Sequence, residues 1–302
     1  MIRFGRDDSH IRMFVENEGV THKIDMHLKR GSAKGVAIDM MPIKRSGELF
    51  GMVNVVCFSP EDLSIIKNGP DRRRRFMDME LCQLDKIYLH DISSYNKVVN
   101  QRNNLLKQIY NGMDDDGMLD IWDDQMIRYG ARVIERRRSF IDMLSDLTCP
   151  VHKRITGGKE SLKILYEPNI SEDDFPEKLL AGREKDIRMK VSQTGPHRDD
   201  FSFYTNDIDI RRYGSQGQQR SAALSLKLAE INMIRNLTDN DPVLLLDDVL
   251  SELDRGRQRK LLQSLGGTQT IITCTGIDEF VEEELKDVKK FYIKQAKVRE
   301  EN

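Results

Sequence analysis

Two stretches in the last third of the chain carry residue types that could do chemistry. In PVLLLDDVLSELD, Asp247 and Asp248 follow directly on the apolar run Val243–Leu246. A run this short and this apolar fits a buried parallel strand. Carboxylates at the C-terminal edge of such a strand can hold Mg²⁺ through its waters and orient an attacking water. The bland alternative is an acidic loop that merely ends a strand. In RRYGSQGQQRSAALSLKLAE, Ser215 or Gln216 opens a helix with an apolar face through Ala223, Leu224, Ala229, Ile231, Ile234 and Leu237. Gly214 and Gly217 let backbone approach a ligand, and the free N–H groups and positive end of a helix suit a phosphate. Ser215 alone would suffice as an ordinary N-cap. The added Gly217, Gln218, Gln219 and Arg220 exceed what a cap requires and favour anion recognition.

The elements that must position these residues fall into three regions. Apolar and polar residues alternate through His10–Val15 and Lys23–Leu28 on either side of Asn17–Gly19, the pattern of a half-buried hairpin. Met52–Phe58 (MVNVVCF) reads as a strand buried on both faces. From Leu84 the apolar positions Tyr88, Ile92, Tyr95, Val99, Leu106 and Ile109 mark one face of a helix roughly 40 Å long. A second helix runs from Trp122 through Met126, Val133, Ile134, Phe140 and Leu144, with Pro150 as its stop. NGMDDDGM between them reads as a polar loop, so the pair forms either an antiparallel helical arm or part of a compact helical domain. After Gly195 come the strand-like FSFY, the glutamine-rich helix, the Val243–Leu246 strand, a helix over Gly256–Leu265 and the β-rich TIITCTG. That order predicts an open sheet with its functional groups at the C-terminal strand edge, and a mixed α/β fold.

With 48 basic and 50 acidic residues in 302, the net charge of -2 gives no global attraction to nucleic acid, so any such contact must use local patches. Cys57, Cys82, Cys149 and Cys274 lack metal-ligand or redox spacing and read as reduced, mostly buried thiols of a cytoplasmic protein. The start MIRFGRDDSHIRMF has no signal-peptide core, and no apolar run reaches membrane-spanning length.

DRRRRFMD sets Arg72, Arg73, Arg74 and Arg75 side by side, a candidate DNA-phosphate contact or else a solvated helix end paired with Asp71, Asp78 and Glu80. Arg136–Arg138 and Arg211–Arg212 read as solvated faces. His197 in GPHRDD suits a turn or interface better than a catalytic base or metal ligand beside Asp199 and Asp200. His22 and His27 have no zinc spacing.

Taken together these motifs resemble the RecF family of ABC-type ATPases. SQGQQRS is similar to the ABC signature in its RecF variant, and LLLDDVLSELD to the Walker B strand and D-loop. SQTGPHRDDFSF, PEDL at Pro60–Leu63, RRRRFMD and QRNNLLK at Gln101–Lys107 match RecF patterns from end to end. The resemblance implies an ABC-ATPase-like head, residues 1–62 and 191–302, with an inserted helical arm over 63–190. It implies a homodimer that sandwiches ATP head to tail. Ser215, Gln216, Gly217 and Gln218 would cap nucleotide held by the opposite subunit, Asp247 would bind Mg²⁺, and Asp248 would polarise water where most ABC proteins carry glutamate. Ser251–Asp254 would line the dimer seam, and Thr273–Thr275 falls where a switch histidine usually stands, which fits a slow ATPase. Gapped or single-stranded DNA, RecR, RecO and RecA are the implied partners, with RecA loading and SOS induction the implied outcome. A transporter ATPase subunit and a Mg²⁺-dependent nuclease using Asp247 and Asp248 are the alternatives.

One expected part is not found. A phosphate cradle would read G-x-x-x-x-G-K-[ST], whereas Gly158–Lys159 is followed by Glu160 and has no glycine at the required spacing. Losing three charge-assisted hydrogen bonds at about 1.5 kcal/mol each removes roughly 4.5 kcal/mol, over a thousandfold in affinity. The 302 residues alone are therefore expected to bind ATP weakly or not at all, as a truncated copy or a late start would.

Overall fold

A computed structural model of the chain describes every residue except 18, 114–116, 239, 276–287 and 302. The alternating N-terminal segments form an antiparallel sheet of β1 (Asp8–Asn17), β2 (Val20–Lys29), β3 (Gly35–Ile38) and β4 (Met41–Pro42), in that order. His10 faces His27 across the first pair, as the hairpin pattern predicts. Burial is thinner than predicted: Val15, Ile24 and Val36 are covered, while Ile11, Met13 and Phe14 remain exposed.

Next come β5 (Val55–Phe58), α1 (Leu63–Lys67), α2 (Pro70–Leu84), α3 (Lys86–Tyr110) and α4 (Leu119–Thr156). Pro70 opens α2, where its missing N–H costs nothing. Asp85 caps α3 by accepting from the Ile87 and Tyr88 N–H groups at 2.7 and 3.0 Å. The ion pairs Asp85–Arg136 and Arg102–Asp123 set α3 antiparallel to α4. Residues 114–116 of the predicted loop lie outside the described residues. Pro150 does not stop α4, contrary to expectation; the helix continues to Thr156. The proline forfeits one backbone hydrogen bond, but Val151, His152 and Ile155 beyond it are buried, and that packing carries the helix through.

The chain continues with β6 (Leu162–Glu167), α5 (Phe175–Ala181), α6 (Arg183–Met189), β7 (Asp200–Thr205), β8 (Ile208–Asp209), α7 (Ile210–Tyr213), α8 (Gln216–Thr238), β9 (Val243–Asp247), α9 (Arg255–Ser264) and β10 (Thr270–Thr273). A hairpin of β11 (Lys290–Lys294) and β12 (Lys297–Glu301) ends it. The FSFY strand, β7, pairs antiparallel with β6 and β8 and is not in the same sheet as the Val243–Leu246 strand, contrary to the open sheet expected to hold both. The β6–β7 pairing also crosses the expected boundary at residue 190. Helices and small sheet share one core, with Phe76, Tyr95, Phe140, Phe175 and Phe201 packed together.

The parallel sheet runs β10–β9–β5, with Phe58 opposite Leu246 and Thr273 opposite Asp247. Val56, Phe58, Leu244 and Leu246 on one face pack against Leu224, Leu228, Ile231 and Ile234 of α8. The other face is open, since Cys57 is exposed and Ile271 is 54% exposed; MVNVVCF is not buried on both faces. Only Cys82 of the four cysteines is buried. Helix α8 is the spine between two cores, because Ala222, Ala223, Leu226, Ala229 and Met233 pack into the helical one. Leu237, expected on its buried face, is 50% exposed. No helix among the described residues is long and apolar enough to cross a membrane.

Candidate functional site

At the start of α8, Ser215 and Gln218 cap the helix reciprocally. The Ser215 N–H donates to Gln218 Oε1 at 2.9 Å, and the Gln218 N–H donates to Ser215 Oγ at 3.2 Å. This is a capping box. Gln219 is buried and donates its amide to the Ile210 carbonyl at 2.8 Å. Two of the glutamines therefore have structural tasks. Gly214 does too: a Cβ there would lie 2.5 Å from the Ile210 carbonyl oxygen, so close packing on α7, not ligand approach, demands glycine. What remains suits an anion. Ser215 and Gln216 are exposed, and the first-turn N–H groups of Gln216 and Gly217 have no partner within the helix. The Ser215 hydroxyl accepts from Gln218 and keeps its own proton to give.

Strand β9 delivers Asp247 to the sheet edge, exposed. Thr273 Oγ1 donates to Asp247 Oδ1 at 2.6 Å, and the Asp248 N–H donates to the Thr273 carbonyl at 3.0 Å. Thr273 therefore braces the acidic pair. Asp248 adopts a left-handed φ of 52°, and its Oδ1 is buried with no hydrogen-bond partner among the described residues. Strain and an orphaned acceptor at one residue mark a site awaiting a donor. A water would satisfy that oxygen, and the exposed Asp247 fits an Mg²⁺ held through water. No cluster of three or more His, Cys, Asp or Glu forms a metal cage among the described residues. These two carboxylates would thus need phosphate oxygens and waters to complete a magnesium shell.

Asp254 caps α9, accepting from the Arg257 N–H at 3.0 Å, and its carboxylate pairs with the Arg257 guanidinium. Burial works against ionisation here, yet the Arg257 contacts hold the Asp254 carboxyl below its usual range. Arg257 also reaches back to α8, donating to Ser221 Oγ at 2.9 Å. Ser215, Gly217, Gln218 and Asp254 thereby line one cleft of about 350 Å³, together with Arg257 and Lys260. Gln216, Asp247 and Asp248 lie outside it.

The arginine cluster divides. Arg73, 1% exposed, forks onto Asp200 at 2.6 and 2.9 Å and donates to the Ile65 and Asn68 carbonyls, so it is withdrawn as a DNA contact. Arg74 is held by the Asp199 carbonyl and Asp71. Arg72 and Arg75 are exposed. Arg137, read from sequence as part of a solvated face, is buried among Asp78, Asp199, Tyr88 and the Pro196 carbonyl. His197 is structural. Its Nδ1 meets the Tyr95 hydroxyl at 2.7 Å and its Nε2 the Ser192 carbonyl at 2.9 Å, and burial pushes its pKa down to about 4. The neighbouring Gly195 has φ 136°, and a Cβ there would sit 2.3 Å from Tyr95 Oη.

Three residues bonded to α8 escaped the sequence reading: Arg257 through Ser221, His152 through Ser225 and Glu160 through Gln218. Arg257 sits in the same turn as Asp254, at a helical spacing that could have flagged it. His152 and Glu160 join α8 only in three dimensions.

A parallel strand ending in paired aspartates, an amide-rich helix start spanning two cores, and a helical insertion define the head of an ABC/SMC-type ATPase. An Smc head bound to the C-terminal winged-helix domain of ScpA matches 98% of this chain and 74% of its own at 11% identity and a TM-score of 0.52, a likeness of fold alone. The structure of the recombination mediator RecF with ATP matches all of this chain and 82% of its own, at 33% identity and a TM-score of 0.91. The DNA replication and repair proteins RecF of Lachnoclostridium phytofermentans and Agathobacter rectalis are 54% and 53% identical over 298 residues, 99% of this chain and 83% and 82% of theirs. No protein-family model matches. The chain belongs to the RecF family.

Proposed function

We propose that the chain works in DNA replication and recombinational repair as a nucleotide-gated dimer. Ser215 and the N–H groups of Gln216 and Gly217 close over nucleotide carried by the partner subunit, with Asp254 at the seam. The observation that carries this reading is that Ser215, Gly217 and Asp254 share a cleft that excludes Asp247 and Asp248. A chain that caps in trans needs its capping residues and its own hydrolytic carboxylates on separate surfaces.

Asp247 would hold Mg²⁺ through water, and Asp248 would accept a hydrogen bond from the attacking water. Bound Mg²⁺ supplies neutralisation of phosphate charge. Gapped or junction DNA would meet Arg72 and Arg75, and RecR and RecO would join it in promoting RecA loading. Membership of the RecF family favours this reading over the transporter and nuclease alternatives. The 302 residues contain no G-x-x-x-x-G-K-[ST] loop, so the chain alone should bind ATP weakly; low-micromolar equilibrium binding would refute that.

The decisive experiment pairs this chain with the Lachnoclostridium phytofermentans RecF as nucleotide carrier. Association measured by fluorescence anisotropy should rise with ATP and Mg²⁺ and vanish with Ser215→Arg in this chain. Association indifferent to ATP, or to that substitution, would overturn the reading.

A further inference from the structure

Behind the helix start lies a run of hydrogen bonds that capping itself does not use. Gln218 turns its oxygen to the Ser215 N–H, and its Nε2 donates to Glu160 Oε1 at 3.2 Å. The other oxygen of Glu160 meets His152 Nε2 at 3.2 Å, and His152 Nδ1 lies 3.0 Å from Ser225 Oγ on α8. His152 is fully buried on α4, and Glu160 follows the Gly157–Gly158 turn that ends that helix. One carboxylate thus divides its two oxygens between the last turns of α4 and the third residue of α8.

A capping box does not require this arrangement. Ser215 and Gln218 satisfy each other without Glu160, and a carboxylate beside a helix N-terminus competes with an incoming phosphate for the same positive field. The cleft offsets that charge with Lys159, Arg257 and Lys260 along its wall. What Glu160 adds is direction: with it the Gln218 amide has both ends fixed, and without it one end swings free.

We propose that Glu160, braced by His152, is a positioning residue for the signature. It sets the Gln218 amide at the cleft and ties the end of α4, the long helix of the insertion, to the helix start that caps nucleotide. The proposal rests on the capping reading above. A shift of the α4 end against α8 strains the Gln218–Glu160 and His152–Ser225 bonds that join the two helices, so the insertion has a direct mechanical hold on the signature.

The test uses Glu160→Ala, Glu160→Gln and Gln218→Ala in the full chain, with urea unfolding to establish that each is folded. The first readout needs no nucleotide: the Gln218 side-chain amide in an ¹⁵N–¹H spectrum, assigned by its loss in Gln218→Ala. Glu160→Ala should move that signal to the solvent-exposed position, and Glu160→Gln, which keeps an acceptor, should hold it in place. An unchanged signal in Glu160→Ala overturns the proposal. The second readout is ATP-dependent association with the Lachnoclostridium phytofermentans RecF. Glu160→Ala should weaken it about tenfold, the value of one charge-assisted hydrogen bond. Glu160→Gln should recover most of the loss, and Glu160→Ala should add nothing on a Gln218→Ala background. An equal loss on both backgrounds, or none on either, sinks the proposal alone. Wild-type association that ignores ATP sinks the capping reading and this proposal with it.

Discussion

Arg257 Nη2 stands 2.9 Å from Ser221 Oγ while Nη1 of the same guanidinium pairs with Asp254, so one side chain joins the cap of α9 to the second turn of α8. The Asp254 end is more than half exposed and contributes little by itself. The reach to Ser221, reinforced by a 3.1 Å contact from Nε, is the part sheltered from water. Arg257→Ala should therefore cost about 1–2 kcal/mol in urea unfolding. Arg257→Lys should recover little of it, because an ammonium cannot fork between two helices. Full recovery by lysine would contradict the geometry.

The arginine cluster makes a paired prediction. Arg73→Ala removes a buried guanidinium and strips the partly buried Asp200 of its fork, and should destabilise the fold by about 2–3 kcal/mol. The double change Arg72→Ala with Arg75→Ala touches exposed side chains only, so stability should hold. Affinity for gapped DNA should instead fall, and the slope of log affinity against log salt should flatten by about 1–2. Titrations at several salt concentrations separate these outcomes; an unchanged salt slope would remove both residues from the DNA surface.

That division shows what the sequence could and could not convey. Four consecutive arginines announce a cationic patch, yet a helix points successive side chains about 100° apart, and only the tertiary fold says which face is covered. Asp200, the partner of Arg73, is 127 residues distant. The Val243–Leu246 strand, its terminal aspartates and the α8 start were legible because their signals are local: an apolar run, a cap, a period. Pro150 misled because packing beyond the proline outweighs one lost hydrogen bond. FSFY has the same period in either sheet, so its alternation could not name its neighbours.

Stability should also depend on pH through a buried cluster under α8. Burial pushes Glu80 up to about 7 from 4.5, with Lys227 opposing the rise and Asp62 adding to it. Lys227 itself pairs with Glu230 at 3.0 Å, and burial raises the Glu230 pKa as well. A carboxyl raised in the folded state keeps a proton that the unfolded chain releases. Its stabilisation is complete below about 4.5 and is lost as pH climbs toward 7. Glu80→Gln imitates the protonated form, so its advantage over wild type should grow from pH 5 to pH 8 in urea midpoints. His197, lowered to about 4, acts in the opposite sense, losing stability as pH falls below 6.5, but it is common to both proteins and cancels. Parallel curves for the two proteins would show that Glu80 is ionised in the fold.

Asp248 separates stability from nucleotide-dependent association. Its φ of 52° is a conformation that glycine adopts without penalty and that aspartate tolerates at a cost of about 1 kcal/mol. Its buried Oδ1, unpartnered among the described residues, adds a desolvation cost. Asp248→Gly removes both. Glycine's greater freedom in the unfolded chain offsets part of the gain, leaving a net stabilisation of about 1 kcal/mol by urea unfolding. Asp248 lies outside the Ser215 cleft, so the same substitution should leave ATP-dependent association with the nucleotide-carrying RecF unchanged. Asp248→Asn keeps the strain and an acceptor oxygen but loses the charge, so it should match wild type in both stability and association. A destabilised glycine variant would mean that the backbone is not strained there, and that the carboxylate makes a stabilising contact that glycine loses.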